Sequence, residues 1–266
     1  MRIDREFAFR LLEGARKGGA DLAEAYLKSS RSLSVEVREQ KTDALESSTD
    51  FGYSLRIIRD KRLGFSFATA KEDAESVVAR AVEASRWTVQ DEWLDLPGPS
   101  EQPSLHIFDE SIASISEGEA IGKALRIERA ALDADARIRK VRKASASFSQ
   151  RDGLIMNSRG LDKAYSATTC TAQIMVVAED GSDSQMAWDF EGSRFLSDVV
   201  FEEVGRNAAT RALLLLRAKA MNGAKCPVIL DNSVATEFLG IFSSLLSSES
   251  VQKGKSLPRI DREKRW

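Results

Sequence analysis

Residues 33–38 read Leu33-Ser34-Val35-Glu36-Val37-Arg38, residues 53–57 read Tyr53-Ser54-Leu55-Arg56-Ile57, and residues 63–68 read Leu63-Gly64-Phe65-Ser66-Phe67-Ala68. In each run apolar and polar side chains alternate. Successive side chains of a strand point to opposite faces, so this period of two marks strands with one buried and one solvated face, the habit of antiparallel sheets. Asp60-Lys61, between the last two runs, is expected to make a hairpin turn. The alternation returns in Ala144, Ala146 and Phe148 and again in Ala172, Ile174 and Val176. Turns are expected at Asn157-Ser158-Arg159-Gly160 and Glu179-Asp180-Gly181-Ser182-Asp183.

Between these blocks the apolar spacing becomes helical. Ile3, Phe7, Leu11, Leu12 and Ala15 share one face over residues 3–16, and Gly18-Gly19 closes that helix. Thr69-Ala70-Lys71-Glu72 has the spacing of a capping box and opens a helix to about Trp87, with Ala74, Val77, Val78, Ala81 and Ala84 inward. Residues 91–102, beside Pro97, Gly98, Pro99 and Pro103, read as loop. A helix is expected over 116–134 with the stripe Ala120, Ala124, Ile127, Ala131, and another over 196–219. A short strand over 226–230 and a helix over 233–248 follow. Blocks of strands set between helices define an α+β fold with a mostly antiparallel sheet and flanking helices. No repeat of solenoid length recurs.

Composition narrows the function classes. With 42% apolar and 30% charged residues the chain is ordinarily globular, and a net charge of −2 gives no general pull on nucleic acid or anionic lipid. The first 19 residues lack a signal-peptide pattern, and the longest apolar stretch, 212–216, is far below the roughly 20 residues of a membrane span. The expected setting is soluble and cytoplasmic. Cys170 and Cys226 are too far apart for a CxxC site and read as small buried residues. The lone histidine, His106 in Leu105-His106-Ile107-Phe108, reads as partly buried and structural. The basic run 137–143, broken by Ile138 and Val141, reads as a solvated strand edge rather than a nucleic-acid contact. Gly254-Lys255-Ser256 ends like a phosphate loop, but Glu249 stands where that loop needs glycine. Trp87, Trp93 and Trp188 read as core edges, with peptide docking as the alternative.

Several stretches together resemble the TldD/PmbA family, also called modulators of DNA gyrase. They are Gly19-Ala20-Asp21-Leu22-Ala23-Glu24, then Gly52-Tyr53-Ser54-Leu55-Arg56-Ile57-Ile58 with Arg62-Leu63-Gly64-Phe65, and the turn Asn157-Ser158-Arg159-Gly160. Pro227-Val228-Ile229-Leu230 and Gln252-Lys253-Gly254-Lys255-Ser256 complete the order. The resemblance implies a TldD/PmbA N-terminal α+β domain with its middle segment over 1–220. It implies the start of a central region over 221–256 and leaves 257–266 as an atypical charged tail, read as a truncation, frameshift or boundary. It also implies a two-subunit, zinc-dependent cytoplasmic peptidase in which one subunit carries the metal.

A zinc peptidase of this kind needs two histidines about one helical turn apart, with a Glu beside the first. In the metal-bearing type they sit on the helix matching 235–246, which here contains no histidine. Glu237 remains there and reads as a solvated surface group. The reading is therefore a PmbA/TldE-type subunit with no catalytic, metal or cofactor residues of its own, the zinc being expected in a TldD-type partner. Extended or unfolded peptide would add to a strand edge within 32–68 or 143–188. Self-association is the alternative to the TldD-type partner. Alternative functions are a stand-alone peptide-binding or assembly protein and an inactive truncated remnant. No nucleotide fingerprint, nucleophile elbow or supported carboxylate cluster suggests a small-molecule enzyme.

Overall fold

The computed structural model describes residues 4–101 and 103–256; Ile3 and the charged tail 257–266 lie outside the described residues. The chain divides into two compact units, Met1–Ala218 and Lys219–Trp266. The first holds a six-stranded sheet of β1 (Leu22–Arg38), β2 (Lys41–Arg59), β3 (Arg62–Ala68), β4 (Ile138–Asn157), β5 (Asp162–Asp180) and β6 (Asp183–Ser193). Every neighbouring pair is antiparallel and the order is β3-β2-β1-β4-β5-β6. The α+β, antiparallel reading holds.

The order of elements repeats. Helix α1 (Arg5–Lys17) leads into the meander β1–β3 and helix α2 (Ala74–Ser85). After the short α3 (Glu110–Ala113), helix α4 (Glu117–Leu132) leads into the meander β4–β6 and helix α5 (Phe201–Leu215). The meanders join through their first strands, β1 and β4. The strands are much longer than the alternating runs suggested. Serine-rich stretches that carry no apolar pattern stay in the ladder, with Ser32 and Ser48 hydroxyls 2.9 Å apart and Ser34 and Ser147 hydroxyls 2.8 Å apart across strands.

Ala25, Leu27, Val35 and Val37 are all buried odd positions of β1, so period two places them on one face. Two cores form there. Phe7 and Leu11 of α1 with Val77 and Ala81 of α2 pack on Leu27, Leu55 and Ile57. Ala124 and Ile127 of α4 with Val204 and Ala208 of α5 pack on Val35, Ala144, Phe148 and Ile174. Each fully buried Leu, Ile or Phe contributes about 1.5–3 kcal/mol. Two glycines permit the closest approaches: a Cβ on Gly64 would lie 2.0 Å from the Ala81 carbonyl oxygen, and one on Gly205 2.2 Å from that of Ile127. Among the described residues of the first unit, no helix packs on the opposite face of the sheet.

The hairpin turn at Asp60-Lys61 forms as expected, both residues having left-handed backbone with φ of 50° and 57°. An equivalent turn at Glu39-Gln40, with φ of 53° and 55°, joins β1 to β2. Glu128 of α4 clasps it: its carboxylate accepts from the Glu39 amide at 2.8 Å, the Gln40 amide at 2.7 Å and the Gln40 side chain at 2.9 Å. The Asn157 turn has a full set of partners. Asn157 accepts from the Arg159 and Leu161 amides at 2.9 and 3.1 Å and donates to the Pro97 carbonyl at 2.9 Å, while Gly160 takes φ of 90°.

Several expectations need correction. The capping box at Thr69–Glu72 does not form. Ala70 instead starts a 3-10 turn, Lys71–Asp73, and its carbonyl accepts from the Tyr53 hydroxyl at 2.9 Å. The capping box is at Ser116 and Glu119, opening α4. The helix expected over 196–219 divides into a 3-10 turn, Leu196–Asp198, and α5, and Arg217 ends it with φ of 58°. Residues 226–230 are exposed irregular chain; with no ladder partner among the described residues, an apolar run alone makes no strand. The second unit contains α6 (Asn232–Leu245) and α7 (Ser248–Gln252).

Candidate interaction surface

The helix matching 235–246, where the resemblance implies zinc ligands in the metal-bearing type, is α6. It spans Asn232–Leu245 and has no histidine, and Glu237 on it is exposed. Among the described residues no group of three or more His, Cys, Asp or Glu is placed to hold a metal ion. These residues do not fit a zinc centre. His106 is exposed, not partly buried, and its ring lies 4.6 Å from that of Phe195. Cys170 is fully buried and burial pushes its thiol up to about 12, whereas Cys226 is exposed, against expectation. Among the described residues no helix is long and apolar enough to cross a membrane.

What the first unit does present is unpaired strand edge. β3 ends at Ala68 opposite Tyr53, so residues 41–52 of β2 have β1 as their only ladder neighbour among the described residues. Residues 41–50 are all exposed, on both faces of the sheet. A strand with one neighbour leaves half its amides and carbonyls unpaired, and twelve residues extend about 40 Å.

Where β3 leaves, a groove of about 310 Å³ opens beside this edge, lined by Tyr26, Lys28, Asp50, Phe51, Gly52 and Phe67 among others. Its Tyr26 wall is braced. The Tyr26 and Tyr165 hydroxyls are 3.1 Å apart, and desolvation followed by that hydrogen bond raises the Tyr26 hydroxyl to about 12. On the helix-bearing face of the same strand, the Lys71 ammonium lies 5.6 Å from the Phe51 ring centre and 5.2 Å from that of Phe7, and pairs with Asp4 at 2.9 Å. Hydrogen bonding from Lys71 then holds the Asp4 carboxyl below its usual range. An aromatic wall beside an unpaired backbone supplies the two features that strand addition uses, main-chain bonds for affinity and pockets for alternate side chains.

Composition did not reveal this edge, because Ser47-Ser48-Thr49-Asp50 carries no alternation to mark a strand. The tryptophans proposed as core edges are instead solvent-facing: Trp87 is 82% and Trp93 91% exposed, and Trp188 stands on the outer face of β6 with Met186 and Phe190, all about half exposed.

An antiparallel sheet with two helix pairs on one face and bare strand edges defines an α+β protein that offers backbone rather than a metal-lined cleft. Two family descriptions match it, PmbA/TldA metallopeptidase domain 1 over residues 23–85 and PmbA/TldA metallopeptidase central domain over residues 110–216. The chain belongs to the PmbA/TldD family, as a member of PmbA/TldE type. It is 28% identical over 247 residues to metalloprotease PmbA of Escherichia coli O157:H7, and 27% identical over 259 residues to a PmbA homologue of Haemophilus influenzae. These alignments cover 89% and 92% of this chain but 54% and 55% of the relatives, so the chain spans about half their length. Two solved structures share the fold. A modulator of DNA gyrase from Thermotoga maritima superposes with TM-score 0.86 at 22% identity, covering 96% of this chain and 58% of that one. TldE from Thermococcus kodakarensis superposes with TM-score 0.70 at 20% identity, covering 78% of this chain and 47% of that one.

Proposed function

We propose that this chain is a non-catalytic subunit of a cytoplasmic, zinc-dependent peptidase complex. Its role is to hold an extended or unfolded peptide along residues 41–52 of β2, for hydrolysis by a TldD-type partner that supplies the zinc. The observation that carries this reading is the pairing of an open strand edge with a family helix that lacks both imidazoles. The edge binds any backbone, so the side-chain preference is broad. The groove at Tyr26 and Phe67 favours an apolar residue where the peptide passes β3.

The test is reconstitution. The purified chain mixed with a TldD-type partner should co-elute on a sizing column and give cleavage of an unfolded peptide that requires the partner and is abolished by a chelator. Absence of a complex overturns the subunit role. Stoichiometric metal and hydrolysis by the isolated chain overturn the non-catalytic assignment. Peptide capture without any partner supports instead a stand-alone binding protein.

A further inference from the structure

Four cations crowd the start of β4, and the peptidase reading leaves them unused. Arg139, Lys140, Arg142 and Lys143 are exposed while Ile138, Val141 and Ala144 are buried. A regular strand would turn Arg139, Val141 and Lys143 to one face and send cations into the layer beneath α4. Register shifts in the β4–β5 ladder, between Ile138 and Lys140 and between Val141 and Lys143, prevent that. Each admits one extra residue, so inward side chains recur every third position and two cations, not one, stand between them.

The segment also runs past the β1–β2 hairpin. β1 pairs with β4 only from Ala144 onward, so 138–143 has β5 on one side. On the other lies an open groove of about 560 Å³, lined by Arg38, Arg139, Lys140 and Arg142 above Leu132 and Val141, with Glu39 and Glu128 at its end. Glu128 is taken up by its three hydrogen bonds to the turn. Arg38 pairs with Asp43 at 3.1 Å and Lys143 with Glu36 at 2.9 Å. Arg139, Lys140 and Arg142 have no ion-pair partner among the described residues.

We infer that this bulged start of β4 docks an acidic segment of a partner polypeptide. Its carboxylates meet Arg139, Lys140 and Arg142, and its apolar side chains lie on Leu132 and Val141. Charge complementarity selects the occupant: bulges and edge lysines deter pairing by neutral or basic strands, leaving an acidic one favoured. A polypeptide fits better than a nucleic acid. The groove lining contains no aromatic side chain on which a base could stack, and Glu39 repels a continuous phosphate backbone.

The site is separate from the β2 edge, so it can fail while the peptidase reading stands, and the reverse. The experiment uses the full chain and fluorescence anisotropy with a labelled twelve-residue peptide of alternating Glu and Val, its Gln-and-Val counterpart, and a single-stranded oligonucleotide of equal charge. The acidic peptide should bind at least about tenfold more tightly than the Gln peptide, which reports the β2 edge alone, and that difference should vanish as salt rises from about 0.05 to about 0.5 M. The triple variant R139Q/K140Q/R142Q should weaken acidic-peptide binding at least about tenfold, while Lys17→Gln on the exposed side of α1 leaves it unchanged. Circular dichroism confirms that both variants are folded, and Lys140→Glu provides a second, single-site variant that should also weaken binding. The inference is overturned if the acidic peptide does not bind, if the Gln peptide binds equally well, if the triple variant binds like the parent, or if the oligonucleotide binds more tightly than the peptide.

Discussion

The two halves of the first unit are built in the same order, helix, three-strand meander, helix, and they differ in what closes the middle strand. In the second half β6 pairs with β5 from Cys170 to Asp180, leaving residues 162–169 uncovered by a strand. A loop takes over at Thr168: its amide donates to the Ile107 carbonyl at 3.0 Å, and its hydroxyl donates to the Arg194 carbonyl at 2.9 Å while accepting from the Asp109 amide at 2.9 Å. In the first half β3 covers Tyr53–Arg59, and no loop occupies the edge at 41–52 among the described residues. Equivalent edges thus differ next to the short strand: the second is bonded to a loop at Thr168, and the first is bare. An edge that one half ties to a loop beside its short strand and the other leaves bare differs in what it can accept, since an unpaired strand invites a second chain and costs stability.

The largest expected effects test whether the halves are one folding unit. Ile57 and Ile174, both fully buried, belong to the two different cores. Ile57→Ala and Ile174→Ala should each cost about 2–5 kcal/mol. Because the β1–β4 ladder joins the halves, both should shift one common denaturant transition; two separate transitions would show the halves to be independent. Glu128→Ala removes a carboxylate that is 1% exposed and clasps the turn of the other half. It should cost about 1.5–3 kcal/mol, and the Glu39 and Gln40 amides should exchange faster; unchanged exchange would mean that the clasp is idle.

Gly64→Ala and Gly205→Ala probe the closest helix contact in each half and should each cost about 1–3 kcal/mol in urea titrations. A silent Gly64→Ala would show that α2 can slide off β3. The smallest effect is expected at the open edge. Phe67, 68% exposed, can become Ser with a change within about 0.5 kcal/mol, yet peptide capture should fall. A large loss of stability there would mean the groove is core rather than surface.

The helices were legible because their buried stripes are strict: Ala120, Ala124, Ile127 and Ala131 are all fully buried. The hairpin at Asp60-Lys61 was legible from its position between alternating runs. The strand lengths were not, because pairing extends β1 and β2 through serines whose burial is decided by neighbours rather than by their own polarity. The capping box at Thr69 had the right spacing, yet Tyr53, brought alongside by the fold, fixes Ala70 instead. The absence of paired histidines on α6 could be read from the sequence alone. An edge was expected within 32–68, but its place at 41–52 could not be read, since it depends on where β3 stops. The bulges of β4 left a visible trace, the three-residue spacing of Ile138, Val141 and Ala144, which resembles neither a strand nor a full helix.

The Glu128 clasp reaches across 89 positions of sequence to the tip of the β1–β2 hairpin. On a ribosome, that tip has no anchor until α4 has been synthesised and has cleared the exit tunnel. The tip of the N-terminal meander therefore gains this anchor only from chain that is made after it, although its own core with α1 and α2 is already complete in sequence.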